Sequence, residues 1–106
     1  MRKATSIITV ILLLLLISIA EAATSKERVE FADNIEHAFL MSGWDVTIKV
    51  EGKNKTIFVM EYIFMNRPNV CQIINNRTTM NSLKEKGFKK MYFTDGYEFR
   101  WSYTIK

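Results

Sequence analysis

Hydrophobic and polar positions follow two rhythms along this chain, and the change from one to the other marks where its elements begin and end. Beyond Thr24, the residues Val29, Ala32, Ile35, Ala38 and Phe39 recur at helical spacing, while Glu30, Asp33, Glu36 and His37 fall between them. This pattern predicts a helix with one buried stripe. Thr24 and Glu27 stand three apart, the spacing at which each side chain satisfies a free backbone N–H of a first helical turn. Gly43 then suits the stop. Over residues 45–51 the period becomes two, with Val46, Ile48 and Val50 opposed to Asp45, Thr47, Lys49 and Glu51, which predicts a half-buried strand. Residues 56–65 are β-branched and aromatic on both faces, as in a central strand.

The second half repeats this order. Asn66-Arg67-Pro68 restarts a helix, because the fixed φ of proline suits a first turn, and Val70, Ile73 and Ile74 give it an apolar side. The poor helix formers Asn75, Asn76, Thr78 and Thr79 predict a kink or break before the helix resumes around Met80 and Leu83 and stops at Gly87. Residues 88–94 and 97–105 then read as a hairpin across Asp95-Gly96, a pair suited to a two-residue turn. Tyr97, Phe99, Trp101, Tyr103 and Ile105 would face the core. Gly43 and Gly52 are spaced like Gly87 and Gly96, which hints at an internal duplication. The expected architecture is α+β and two-layered: a four-stranded, largely antiparallel sheet in the order αββαββ, with two helices on one face.

The N-terminal residues have a different character. Arg2 and Lys3 precede an apolar run over residues 7–17, followed by small residues ending Ala20-Glu21-Ala22. A charged start, an apolar stretch short for a bilayer and an A-x-A pattern describe a signal peptide cut after Ala22. The expectation is an exported, periplasmic or secreted protein, with an uncleaved membrane anchor as the alternative. Cleavage leaves 84 residues, enough for one domain with a thin core. The single cysteine, Cys71, excludes an intramolecular disulfide. Packing must therefore supply the stability, and the aromatic residues all lie after the leader.

The whole chain carries a net charge of +4, and losing Arg2, Lys3 and Glu21 would leave about +3. That bias is compatible with weak contact to an anionic membrane surface and too small for nucleic-acid binding. Lys84, Lys86, Lys89 and Lys90 gather around Gly87, and Lys53 and Lys55 flank the other turn. On related edges these would form a basic rim. Asn54-Lys55-Thr56 and Asn76-Arg77-Thr78 fit the glycosylation sequon.

Candidate chemistry is sparse. Asp33 and His37 share a helix face but lack further metal ligands. Cys71, near a helix start, reads as a small buried apolar residue. No carboxylate pair, catalytic triad, phosphate loop or cofactor signature can be assembled, so the expectation is a non-catalytic binding or interaction module without metal or cofactor. Its surface would be the open sheet face, where Ile57, Val59 and Ile63 form an apolar row rimmed by Lys49, Glu61 and Arg100. A protein partner or a second copy would dock there. The alternatives are a carrier of small hydrophobic ligands or lipids, with a pocket lined by Trp44, Phe58, Tyr92 and Trp101, and a minor hydrolase using Asp33, His37 and Cys71.

Overall fold

A computed structural model describes residues 24–106; the expected leader lies outside them. Helix α1 (Ser25–Met41) leads into strands β1 (Val46–Glu51) and β2 (Ile57–Tyr62), joined by a single 3-10 turn at Lys53–Lys55. Two short helices follow, α2 (Arg67–Ile74) and α3 (Arg77–Glu85), and then strands β3 (Lys90–Thr94) and β4 (Arg100–Thr104). The fold is α+β, with three helices among the described residues. The second helical stretch is divided at Asn75-Asn76, because Asn76 caps a new helix: its Oδ1 accepts the Thr79 N–H at 2.9 Å.

The sheet order is β1-β2-β3-β4, and its centre departs from the expected pairing. β1–β2 and β3–β4 are antiparallel, whereas β2 and β3 run parallel, with Phe58 beside Met91 and Met60 beside Phe93. The sheet is therefore mixed. A parallel pair needs a crossover connection, and α2 and α3 supply it by carrying the chain from the end of β2 back to the start of β3.

The core is built on one face of this sheet. Val46 and Ile48 of β1, Phe58 and Met60 of β2, and Met91 and Phe93 of β3 are buried against Phe31, Ala32, Ile35 and Phe39 of α1 and Val70, Ile73 and Leu83 of the crossover helices. Phe88 meets Phe58 edge-on at 5.3 Å and Phe31 at 5.9 Å. A cavity of about 10 Å3 remains between α1 and the sheet, lined by Phe31, Ile35, Phe58, Met60, Ile73, Thr79, Leu83 and Met91. That is room for about one water molecule. The Thr79 hydroxyl is buried there without a hydrogen-bond partner.

Several local expectations change. The capping box of α1 forms as read, Thr24 N–H donating to Glu27 Oε1 at 2.8 Å and Glu27 N–H to Thr24 Oγ1 at 3.2 Å. The buried stripe, however, is shifted: Arg28 and Phe31 are buried and Val29 is exposed. β2 stops at Tyr62, where Met65 N–H bonds back to the Tyr62 carbonyl at 2.8 Å. This early turn buries Met65 and leaves Ile63 and Phe64 exposed. The β3–β4 connection is also longer than two residues. Asp95 Oδ1 accepts the N–H groups of Tyr97 and Phe99 at 2.8 and 3.1 Å, which holds residues 95–99 as a loop and puts Tyr97 in solvent.

Arg28 is a buried charged side chain that links three elements. Only 7% exposed, it donates from Nε and Nη2 to the Asn54 carbonyl at 3.0 and 2.7 Å, and from Nη1 to the Lys86 carbonyl at 3.1 Å. It ties α1 to the turn between β1 and β2 and to the end of α3. Gly87 permits this approach: its φ is +89°, and a Cβ there would lie 2.6 Å from Arg28 Nη1.

Two stability measurements follow. Arg28→Met should cost about 3 kcal/mol in urea denaturation, because two partly buried carbonyls lose a charged donor, and Arg28→Lys should recover little, since one ammonium lacks the planar fork. Thr79→Val keeps the shape and removes the unpartnered hydroxyl, so its midpoint should rise by an amount equivalent to about 1 kcal/mol.

Candidate functional site

The sheet register decides what the face away from the helices presents. Three rows cross it: Glu51, Ile57, Lys90 and Thr104; then Lys49, Val59, Tyr92 and Ser102; then Thr47, Glu61, Thr94 and Arg100. Of the residues expected to form the site, Lys49, Ile57, Val59, Glu61 and Arg100 do share this face. Ile63 does not, because the chain has already turned out of the sheet. The apolar row is also thinner than its sequence implied. Val59 is only 6% exposed and Ile57 is half-buried, for their polar neighbours Lys49, Glu51 and Lys90 stand beside them in the register.

Exposed hydrocarbon is concentrated elsewhere. Among the described residues, six large apolar side chains are exposed by a third or more, and five of them (Leu40, Met41, Ile63, Phe64 and Tyr97) lie at one end of the fold. That end gathers the close of α1, the turn into β1, the turn after β2 and the β3–β4 loop. Their proximity follows from the topology: Val46 pairs with Tyr62 at the β1–β2 end, and Glu61 with Thr94 at the parallel pair. A Cβ on Gly96 of the β3–β4 loop would lie 2.9 Å from Glu61 Oε2.

A chain of rings runs from the core out to this pole. Phe39 and Trp44 have centroids 6.4 Å apart, Trp44 and Tyr62 5.5 Å, and Tyr62 and Phe64 5.6 Å. Burial pushes the Tyr62 phenol above the ordinary tyrosine range. The inner rings anchor the outer one, so Phe64, at 68% exposure, is held out on an ordered base. The charged residues around the pole are Asp45, Glu61, Asp95 and Glu98 against Arg67 and Arg100, an acidic balance. The Arg67 guanidinium lies 5.4 Å from the Trp101 ring centre, a cation–π contact that ties the start of α2 to β4.

The opposite pole carries the lysines. Through Arg28, the turn holding Lys53 and Lys55 lies next to the end of α3 holding Lys84 and Lys86. The Lys89 N–H donates to the Thr56 carbonyl at 2.9 Å. The two lysine groups therefore do come together, around the end of the molecule where α1 begins. Ser25 Oγ, at the start of α1, also donates to the Asn54 carbonyl at 3.1 Å.

The residues considered for chemistry remain dispersed. Asp33 and His37 are exposed on α1, and Cys71 is half-buried on α2 where full burial was expected. Among the described residues, no group of three or more His, Cys, Asp or Glu is placed to hold a metal ion. Of the four side chains expected to line a ligand pocket, Phe58 alone borders the small internal cavity, and Tyr92 points from the other sheet face. Asn54 of the first sequon is exposed, whereas Asn76 of the second is engaged as a helix cap. Among the described residues, no helix is long and apolar enough to cross a membrane. In comparisons with known proteins, no family model, no curated protein and no solved structure matches this chain.

Sequence alone could not separate Val59 from Ile63, but their environments now do. Val59→Ser should lower stability by about 2 kcal/mol, the cost of losing a buried valine side chain. Ile63→Ser should stay within about 0.5 kcal/mol of the parent. Paired denaturation curves measure both.

Proposed function

We propose that this chain is an exported, non-catalytic binding protein whose contact surface is the apolar pole formed by Leu40, Met41, Ile63, Phe64 and Tyr97. The observation that carries this reading is the concentration of exposed apolar side chains at one end, where packed rings lead from the core out to Phe64. Scattered apolar residues on a surface need no explanation, but five of them gathered at one end do. Anchors of this kind, aromatic and methionine side chains inside a charged rim, have the composition of protein–protein contact centres. Glu61 and Arg100, at the adjoining edge of the open sheet face, belong to that rim together with Asp45 and Glu98. Lys49, Ile57 and Val59 lie further along the sheet, outside the contact.

The kind of partner follows from the charge. An apolar pole with an excess of carboxylates repels an anionic lipid surface and suits a protein that offers an apolar patch with basic surroundings. Export is supported by the leader pattern alone: the charged start, the apolar run and the small residues before Ala23.

Site-specific photocrosslinking in cells tests the reading. A photoreactive side chain in place of Met41 or Phe64 should capture one and the same protein, whereas the same group in place of Asn54 or Thr104 should not. The combined substitutions Leu40→Ser, Met41→Ser, Ile63→Ser and Phe64→Ser should abolish capture from a probe at Tyr97 while changing the melting temperature little. Equal capture from both poles would refute the assignment. Capture of a second copy, confirmed by sedimentation, would make the surface a homodimer interface and overturn the case for a different partner.

A further inference from the structure

Every described lysine except Lys49 lies at the pole opposite the apolar one. Lys26 begins α1, Lys53 and Lys55 occupy the β1–β2 turn, Lys84 and Lys86 end α3, Lys89 and Lys90 begin β3, and Lys106 follows β4. The nearby carboxylates are fewer: Glu27, Glu30, Glu51 and Glu85. Glu27 is already engaged with the Thr24 N–H. Lys86 is partly committed as well, its Nζ standing 5.7 Å from the Phe31 ring centre. Lys53, Lys55, Lys84, Lys89 and Lys90 are exposed. Arg28 holds the two groups in a fixed relation through the Asn54 and Lys86 carbonyls, so the charges form a constant pattern on the surface.

The chain also leaves the described domain at this pole. Thr24 caps α1 there, and Ser25 bonds to Asn54. Six residues separate Thr24 from the end of the apolar run over residues 7–17. A stretch of that length reaches at most about 20 Å. As leader or as anchor, a run seated in a bilayer would bring this pole to the lipid headgroups. If the chain is cut after Ala22, the new α-ammonium of Ala23 adds a further positive charge next to Thr24.

We infer that the lysine pole is a docking surface for an anionic phospholipid bilayer, on which the protein stands with its apolar pole directed away. The charge of the pole and the exit point of the chain support this independently of the proposed partner contact. Each lysine near an anionic bilayer strengthens adsorption by roughly fivefold, and screening by salt removes most of that gain. The surface is built of ammonium groups spread over several elements, which suits a lipid sheet better than one bound anion.

Lysine acylation footprinting of the full chain, as recovered from cells, reads the contact directly, with Lys49 as the internal control. Vesicles of phosphatidylcholine with about one third phosphatidylglycerol should slow labelling of Lys53, Lys55, Lys89 and Lys90 severalfold while leaving Lys49 unchanged. Pure phosphatidylcholine vesicles should slow them severalfold less, and 0.5 M salt should remove the difference between the two kinds of vesicle. The variant Lys53→Glu/Lys89→Glu should bind the anionic vesicles at least twentyfold more weakly, whereas Lys49→Glu, on the open sheet face away from both poles, should bind them much as the parent does. Protection by neutral vesicles alone, equal protection of Lys49, or no protection would overturn the inference. Heparin protecting as well as the vesicles at equal charge would also overturn it, since the pole would then be a general polyanion site.

Discussion

A guanidinium taken out of water must find acceptors, and in this fold Arg28 finds them on the backbone of two other elements. The Asn54 carbonyl takes two of its donors and the Lys86 carbonyl a third. Burying a charge is unfavourable unless it is well hydrogen-bonded, so these bonds constrain the fold: α1, the β1–β2 turn and the end of α3 must meet. The turn adopts an unusual conformation in doing so, with Asn54 at φ +62° and Lys55 at φ +57°. Such left-handed geometry costs a non-glycine residue about 1 kcal/mol, which two charged hydrogen bonds to that turn readily offset. The lysines flanking Asn54 and Lys86 are thereby drawn into one patch. The basic pole is thus a consequence of how the buried arginine is satisfied.

The edge of β1 is held in a related way. Glu36, on α1, accepts the Ile48 N–H at 2.7 Å. An edge strand exposes unpaired backbone groups that invite pairing with other chains, and here a helix carboxylate occupies one of them. α1 therefore covers the inner face of β1 with Ile35 and Phe39 and guards its edge with Glu36. With that edge partly closed and the open face carrying charged residues in every row, exposed hydrocarbon is left mainly at the ends of the elements.

Much of this was legible because it depends on local pattern. The capping box of α1, the three apolar residues of β1, the inward set Phe58 and Met60, and the break at Asn75-Asn76 all follow from periodicity and cap chemistry. The parallel pairing of β2 and β3 does not, since the periodicity of a strand says which face is buried and nothing about its neighbours. Arg28 was illegible for another reason: a charged residue on a helix reads as solvated, and only tertiary contacts reveal two carbonyls waiting for it. Ile63 shows how sensitive a site can be to one turn. A strand continued to Met65 keeps Ile63 on the open face with Val59, whereas the observed turn after Tyr62 sends Met65 inward and puts Ile63 and Phe64 at the pole.

The two poles differ in the work their surfaces can do, and the topology explains why they are separate. Each strand of this sheet has one end at each pole, so the connections fall into two groups set apart by a strand length, about 20 Å. The turns at one end are rich in lysine, and those at the other carry Leu40, Met41, Ile63, Phe64 and Tyr97 among carboxylates. A protein with hydrocarbon and cations mixed on one face would sink its apolar side chains into any anionic bilayer it touched. Separating them by a strand length avoids this outcome: the cations can meet the bilayer while the apolar group stays clear of it. A third surface, the open sheet face, spans the distance between them with charged residues in every row, which sets the two proposed contacts apart.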